Sequence, residues 1–195
     1  MLIDQFLPER DFTAAVHTLV EADPRATFEA ISEANLGDDT FVRLMSGVRD
    51  LPNRISAMAR GEHFERMPDH ITFGDLSNSE EWVTLGEVVG EESVVGAIGK
   101  FWKKDYGWAT PPAEDFVDFN RPGYAKTVAG FSVHRYGEGS TLLTMESRTA
   151  VTDDEARCRF NTYWRFMRPF AAAMMRHGIR AIKRHAEGET PTASG

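Results

Sequence analysis

The chain has little cysteine and no long apolar run. Cys158 is the one cysteine among 195 residues, so no intramolecular disulfide can form and no cysteine-based zinc site is indicated. No stretch of about 18 consecutive apolar residues occurs, as a membrane-spanning helix would require. The N-terminus carries acids at Asp4 and Glu9 in place of the apolar run of a signal peptide. These absences predict a cytoplasmic protein with no integral membrane segment.

The sequence also lacks the common motifs of nucleotide, hydrolase and metal sites. It has no GxGxxG fingerprint, no Walker-type phosphate loop and no nucleophile elbow. His177 and His185 are eight positions apart, or about 12 Å of helical rise, which is too far to chelate one ion. His63 and His70 flank a proline-containing connector without acidic ligands beside them. We therefore expect neither a metal nor a cofactor.

The net charge is −8, which disfavours nucleic acid as a partner because phosphate binding requires a basic field. The charge is uneven along the chain. Residues 153–187 hold eight lysines and arginines against four acids, and the remainder holds 14 against 26. A solvated helix face is the favoured interpretation of this basic segment, and a role at a membrane surface or a partner is the alternative.

The length and an apolar content of 42% fit one domain with a sizeable core, which we place at residues 1–187. Alternating polarity over residues 12–20 predicts a half-buried strand. Asp23 is a candidate cap and Pro24 suits the first position of a helix that runs to about Ala34. Short helices are expected over residues 38–60, followed by a connector at 61–68.

Strand-like segments joined by short turns then dominate the sequence. Because parallel pairs need long crossovers, the short connections predict antiparallel neighbours. The segments are residues 70–73, 81–90, 92–102, 124–137 and 140–151. Glycines inside them predict bulges or bends that curl the sheet; these are Gly86, Gly96, Gly99 and Gly130. A curled sheet would leave a concave face.

A long excursion at residues 103–123 separates two of these strands. Long insertions in compact domains are often functional, so its aromatic residues are expected either to close over a pocket as a lid or to pack on the rim. These residues are Tyr106, Trp108, Phe116 and Phe119.

The chain closes with an amphipathic helix predicted over residues 152–187. A capping box opens it at Thr152, apolar residues recur at three- and four-residue steps, and Pro169 predicts a bend. The polar tail, residues 188–195, is expected to be disordered.

Several segments carry a resemblance to a known superfamily over nearly the whole chain. They are HTLVEADPRATFEAI, VRDLPNRI, GKFWKKDYGW and the run from Leu142 through TMESRTAVTDDEARCRF. The chain resembles the START-like (SRPBCC) superfamily, which includes the plant allergen Bet v 1 proteins and polyketide cyclase/dehydrase relatives, and it looks like a bacterial branch. The resemblance implies an α+β helix-grip fold, a curved antiparallel sheet wrapped around a long C-terminal helix, with two or more short helices after the first strand. It implies fold more than activity, because the superfamily hosts binders, transporters and enzymes.

Glu146 and Arg148 form the most chemically informative pair. They share one face of the strand at 140–151 and lie about 6.6 Å apart along it, close enough to pair. If that face points into a cavity, the pair anchors a polar ligand end, and Glu146 becomes a candidate for proton transfer. If it points away, the interior is lined by Leu143, Met145 and Thr149, and the pair is a surface salt bridge of little consequence.

The leading hypothesis is the binding of a small hydrophobic or amphipathic molecule, lipid-like or aromatic and polyketide-like, between sheet and C-terminal helix. The expected ligand-binding residues are Trp102, Tyr106, Trp108, Phe131, Glu146, Arg148, Trp164 and Met167. One alternative is an enzyme of the polyketide cyclase/dehydratase type with Glu146 or His134 as general acid/base. A second is an interaction module with a fully packed interior. Monomer and homodimer both remain open.

Overall fold

The computed structural model describes residues 1–35, 72–77, 80–103 and 105–188. Within these ranges the chain forms an α+β fold in which one antiparallel sheet carries a long C-terminal helix. The elements in chain order are α1 (Ile3–Phe6), β1 (Phe12–Val20), α2 (Pro24–Glu33), α3 (Phe73–Ser77), β2 (Val83–Val88), β3 (Glu92–Gly99), a short 3-10 helix (Ala113–Asp115), β4 (Ala125–Tyr136), β5 (Ser140–Val151) and α4 (Asp154–Ala186). The predicted helices at 38–60, the connector at 61–68 and the tail from residue 189 lie outside the described residues.

The strand order across the sheet is β1-β5-β4-β3-β2, and every neighbouring pair is antiparallel. The last four predicted strands are confirmed, with β2 and β3 shorter than predicted. The strand predicted at 70–73 is wrong where it is described, because Phe73 begins α3 and Thr72 makes only an isolated bridge to Asn35. The reason is a reciprocal cap: the Asp75 carboxylate accepts from the Thr72 amide, and the Asp75 amide donates to the Thr72 hydroxyl, which favours a helix start.

Other elements pack on both faces of the sheet. Phe12 packs on Phe160 and Trp164 of α4 and lies opposite Thr149 of β5. Even-numbered residues of β1 and odd-numbered residues of β4 and β5 therefore share the face toward α4, here called the inner face. The opposite, outer face packs against Ile3 and Leu7 of the N-terminal segment and against residues of the excursion.

The inner and outer faces each have a core. The inner core joins the sheet to α2, α3 and the C-terminal half of α4, and its buried members include Val20, Ile31, Phe73, Val95, Phe131, Val133, Leu143, Ile179 and Ile182. The outer core joins the sheet to the N-terminal segment and the excursion, and its buried members are Ile3, Leu7, Leu85, Val94, Ile98, Phe116 and Val128.

The strand glycines have two different roles. The pairing of β2 with β3 shifts register between Thr84 and Gly86, so the predicted bulge at Gly86 is confirmed. The pairing of β3 with β4 is continuous, so Gly96, Gly99 and Gly130 form no bulge in it, and the bend predicted as the alternative stays a prediction. At Gly96 the reason for a glycine is close packing, since an added Cβ would lie 2.6 Å from the ring of Phe116.

Side-chain caps set the starts of the two longer helices. Asp23 accepts from the amides of Arg25 and Ala26, and Pro24 takes the first helical position, as predicted. The cap of α4 is Asp153, one residue later than predicted, and it accepts from the Ala156 amide. The helix α4 is continuous through Pro169. Among the described helices, none is both long and apolar enough to cross a membrane.

Candidate ligand-binding site

The helix α4 runs alongside β1 and is fixed to it near both ends. Near its start, the Phe160 ring lies 4.7 Å from the ring of Phe12. Near its end, the Lys183 ammonium donates to the Leu19 carbonyl oxygen at 2.6 Å. The even-numbered residues of β1 between these two contacts therefore face the middle of α4.

The middle of α4 is open on the side that is buried at its ends. Residues seven apart in a helix lie on nearly the same side, and Phe160, Met167, Met174 and Ala181 form such a series. Phe160 and Ala181 are 2% and 6% exposed, whereas Met174 is 52% exposed and Met167 is half-buried. The helix therefore packs less closely against the rest of the protein along its central turns than at its two ends.

The sheet beneath these turns carries small side chains. Ala14, Ser147 and Ala129 are direct neighbours across β1, β5 and β4, and Ala14 and Ser147 remain partly exposed although they point inward. The next row contains Thr149 and Thr127, whose hydroxyl oxygens lie 2.9 Å apart. Ala14 and Ser147 on the sheet and Met167 and Met174 on α4 all retain exposed surface, and we call the region between these two pairs the helix–sheet gap.

Three of the predicted ligand-binding residues belong to or border this gap. Trp164 and Met167 lie on α4 and are half-buried, with Trp164 stacked on Phe160. Phe131 is buried and packs edge to face on Phe73 at 4.7 Å, so it belongs to the inner core beside the gap. The sequence prediction missed Ala14 and Ser147. Small residues give no sequence pattern that marks a binding site. Only the register of the paired strands shows that these residues lie next to one another.

The predicted aromatic residues of the excursion separate into two groups. Tyr106 and Trp108 cluster with Phe101, whose ring lies 6.4 Å from that of Phe160. Phe116 and Phe119 instead pack on the outer face. Because they lie across the sheet from α4, these two residues do not form a lid over the space beneath it, and of the two alternatives packing against the sheet is the one that fits them.

Trp102 lies between the aromatic cluster and a surface cleft. Its ring is 6.3 Å from that of Phe160. It also lines a cleft of about 140 Å³ together with Lys100, Lys103, Gly123, Glu155, Ala156 and Arg159. The indole Nε1 atom is buried and has no hydrogen-bond partner within the described part of the chain.

Glu146 and Arg148 lie on the outer face, away from the helix–sheet gap. The Arg148 guanidinium donates to Glu146 and to Asp4 of α1, each at 2.6 Å. The hydrogen bond from Arg148, together with one from the N-terminal ammonium, lowers the pKa of Asp4. The inward placement is therefore wrong, while Leu143, Met145 and Thr149 do point inward as the alternative predicted. That alternative is wrong about exposure, since Arg148 is only 4% exposed beneath α1.

The outer-face pair has very little free space beside it. The cavity that Glu146 lines with Met1, Ile3, Glu92, Val94, Gly130, Phe131, Ser132 and Thr144 has a volume of about 10 Å³, room for about one water molecule. The Ser132 hydroxyl is buried there and finds no partner among the described residues. His134 is exposed on the same face. Whether Glu146, Arg148 or His134 contacts a ligand stays a prediction.

Metal-ligating side chains do not converge in the described ranges, where no group of three or more His, Cys, Asp or Glu residues could hold an ion.

The sheet and its long C-terminal helix are consistent with the helix-grip class of α+β proteins.

Comparison with known proteins gives no closer assignment. No family model and no curated protein matches the chain. Among solved structures it is similar to CalU16 from Micromonospora echinospora, with 12% identity, 90% of this chain and 84% of that chain covered, and a TM-score of 0.31. It is also similar to TTHA0849 from Thermus thermophilus, with 8% identity, coverage of 91% and 96%, and a TM-score of 0.28. At these TM-scores neither structure supports an argument about function.

Proposed function

We propose that the protein binds a small, largely apolar molecule in the helix–sheet gap. The observation that supports this proposal is the exposed fraction of residues along one side of α4. It is 2% at Phe160, 52% at Met174 and 6% at Ala181. Apolar surface left in water costs about 25 cal/mol per Å². A ligand in the gap would cover this surface and the small inward side chains opposite it.

The lining defines the class of ligand. Both β1 and β5 are described throughout, and neither carries a charged residue on its inner face. The polar groups on the floor are the hydroxyls of Thr127, Ser147 and Thr149. A neutral molecule with an extended apolar part and few hydrogen-bonding groups fits this lining. Lipid-like chains and aromatic, polyketide-like molecules both meet that description.

The test uses two neighbouring alanines of β1 that point to opposite faces. Ala14 points into the gap, whereas Ala15 is exposed on the outer face. We expect Ala14→Trp to fill the gap and lower the affinity for the fluorescent apolar probe N-phenyl-1-naphthylamine by at least about tenfold, equivalent to about 1.4 kcal/mol. Ala15→Trp is the matched control and should bind like the wild type.

The same proteins would be screened with fatty acids and aromatic polyketides by native mass spectrometry and thermal shift. A folded wild-type protein that binds neither the probe nor any screened compound would refute the proposal. So would an equal loss of probe affinity in the Ala14 and Ala15 variants.

The structure offers less support for the other two candidates. A cyclase or dehydratase that used Glu146 would need its substrate on the outer face, where the cavity at Glu146 measures about 10 Å³. An interaction module with a fully packed interior would bury Ala14, Ser147 and Met174, which are instead partly exposed.

A further inference from the structure

Five arginines on the solvent side of α4 have no ion-pair partner in the part of the chain that the structure describes. They are Arg165, Arg168, Arg176, Arg180 and Arg184, and all are exposed. No acid occurs between Glu155 and Glu187. Elsewhere on the helix, Arg157 and Arg159 do pair with carboxylates. Four of the five, Arg165, Arg176, Arg180 and Arg184, lie within about 100° of one another around the helix and form a positive face on a chain whose net charge is −8.

An exposed aromatic residue lies within this positive face. At about 100° per residue, Arg165, Arg176 and Arg180 fall within about 60° of one another over about 22 Å of helix. Phe166 projects about 40° from Arg180 and is 70% exposed. The sheet contacts α4 through Phe160 and Trp164. Arg165, Phe166, Arg176 and Arg180 are all exposed, so this face meets solvent over residues 165–180.

We propose that this face of α4 docks on an anionic lipid membrane surface. Lipid phosphates would neutralise the clustered arginines, and the Phe166 ring would enter the boundary between headgroups and acyl chains. Single-stranded nucleic acid is instead bound in basic grooves with several stacking aromatics. A convex helix face with one phenylalanine fits a bilayer better. Docking there does not depend on the ligand proposed for the gap.

The test is co-sedimentation with two kinds of large unilamellar vesicle, one of pure phosphatidylcholine and one with about 30 mol% phosphatidylglycerol. The wild type should bind the anionic vesicles and not the neutral ones, and about 0.5 M salt should weaken the binding. The double variant Arg165→Glu/Arg176→Glu should lose at least about tenfold in affinity. Arg10→Glu/Arg135→Glu reverses two exposed arginines elsewhere and should retain binding.

The apolar contribution is tested separately. Phe166→Ser should weaken anionic-vesicle binding several-fold, whereas Val89→Ser, at a residue 82% exposed in a turn of the sheet, should not. Circular dichroism and thermal melts confirm that each variant is folded.

Three outcomes would overturn the proposal. They are no binding to anionic vesicles at low salt, an equal loss in the helix and control variants, and Arg165- and Arg176-dependent binding to an oligonucleotide without binding to vesicles. The Ala14→Trp variant should still bind vesicles, so failure of the gap proposal and failure of this one are distinguishable.

Discussion

At the scale of single residues, replacement of Arg148 is expected to lower stability strongly. It is almost fully buried and donates to both Glu146 and Asp4 at 2.6 Å. Arg148→Met would leave the Glu146 carboxylate unpaired beneath α1. We expect a loss of about 3 kcal/mol in the free energy of unfolding, at the low end for a broken buried pair because Asp4 is half exposed. Urea denaturation followed by circular dichroism measures it.

The control for this prediction is an exposed pair. Arg25 bonds Glu29 at 3.0 Å, with the two side chains 87% and 57% exposed. Exposed ion pairs contribute little, so Arg25→Met should leave the urea midpoint unchanged. Equal effects at Arg25 and Arg148 would contradict the assignment of Arg148 to a buried network.

Gly96 and Gly130 should differ sharply when each is replaced by alanine. A Cβ at Gly96 would lie 2.6 to 2.7 Å from Phe116 and Leu85, whereas at Gly130 the nearest atom is 3.4 Å away. Phe116 is fully buried and cannot move aside cheaply. We expect Gly96→Ala to cost about 1–3 kcal/mol through overpacking and Gly130→Ala to cost clearly less, measured by urea denaturation. The reverse order would show that Phe116 is free to shift.

The pairing of Glu146 with Arg148 could be predicted from their spacing, but the face they occupy could not. Alternation along a strand identifies its buried side only when the other side meets water. In β5 both sides are covered. Arg148 and Thr144 are therefore buried on the outer face, and Leu143 and Thr149 are buried on the inner face. Only the position of α1, which depends on contacts distant in sequence, separates the two possibilities.

At the scale of elements, the cap of α4 predicts a response to acid. Hydrogen bonds from the amides of Ala156 and Gly123 lower the pKa of Asp153 below its ordinary value of 3.8. A carboxyl whose pKa is lower in the folded protein stabilises it above the unfolded value and stops doing so as pH falls through the folded one. Thermal stability should therefore decline as pH drops below about 4.

The Asp153→Asn variant isolates this contribution. An amide can still accept at the cap but does not titrate, so the melting temperature of the variant should fall less between about pH 5 and about pH 2.5 than that of the wild type. Circular dichroism melts across this range provide the comparison. Parallel curves for the two proteins would mean that Asp153 does not contribute to the acid response.

The elements that could be predicted were those with local signals. Alternation and turn glycines indicated the strands, and Asp23 and Pro24 indicated the start of α2. The strand predicted at 70–73 failed at residues 72 and 73, the part that is described, because the cap between Thr72 and Asp75 outweighs the β propensity of Phe73. The strand glycines were ambiguous because a bulge and a close approach look alike in sequence. At Gly96 the Phe116 ring, which packs on the outer face of the sheet, shows that the glycine permits a close approach.

At the scale of the whole molecule, the helix–sheet gap could be predicted only as a possibility. The sequence indicated a curled sheet beneath a long apolar-faced helix, and Trp164 and Met167 as residues between them. The position of any open space depends on two things. One is how the two ends of α4 pack against β1, and the other is which small residues the strand register places side by side. These are long-range contacts, which periodicity along the chain does not encode.

Because the sheet separates two cores, damage to the outer core should leave binding in the gap intact. Leu7 is buried in the outer core, and Leu7→Ala should cost about 2–4 kcal/mol. Removal of residues 1–8 should cost more, because it also removes Ile3 and the Asp4 partner of Arg148. In both variants the folded fraction should bind N-phenyl-1-naphthylamine within about twofold of the wild type, because no residue of the gap is touched. Fluorescence titration at a temperature where circular dichroism shows the sheet intact makes the measurement. Loss of probe binding in folded Leu7→Ala would place the bound molecule on the outer face, beneath the N-terminal segment, and not under α4.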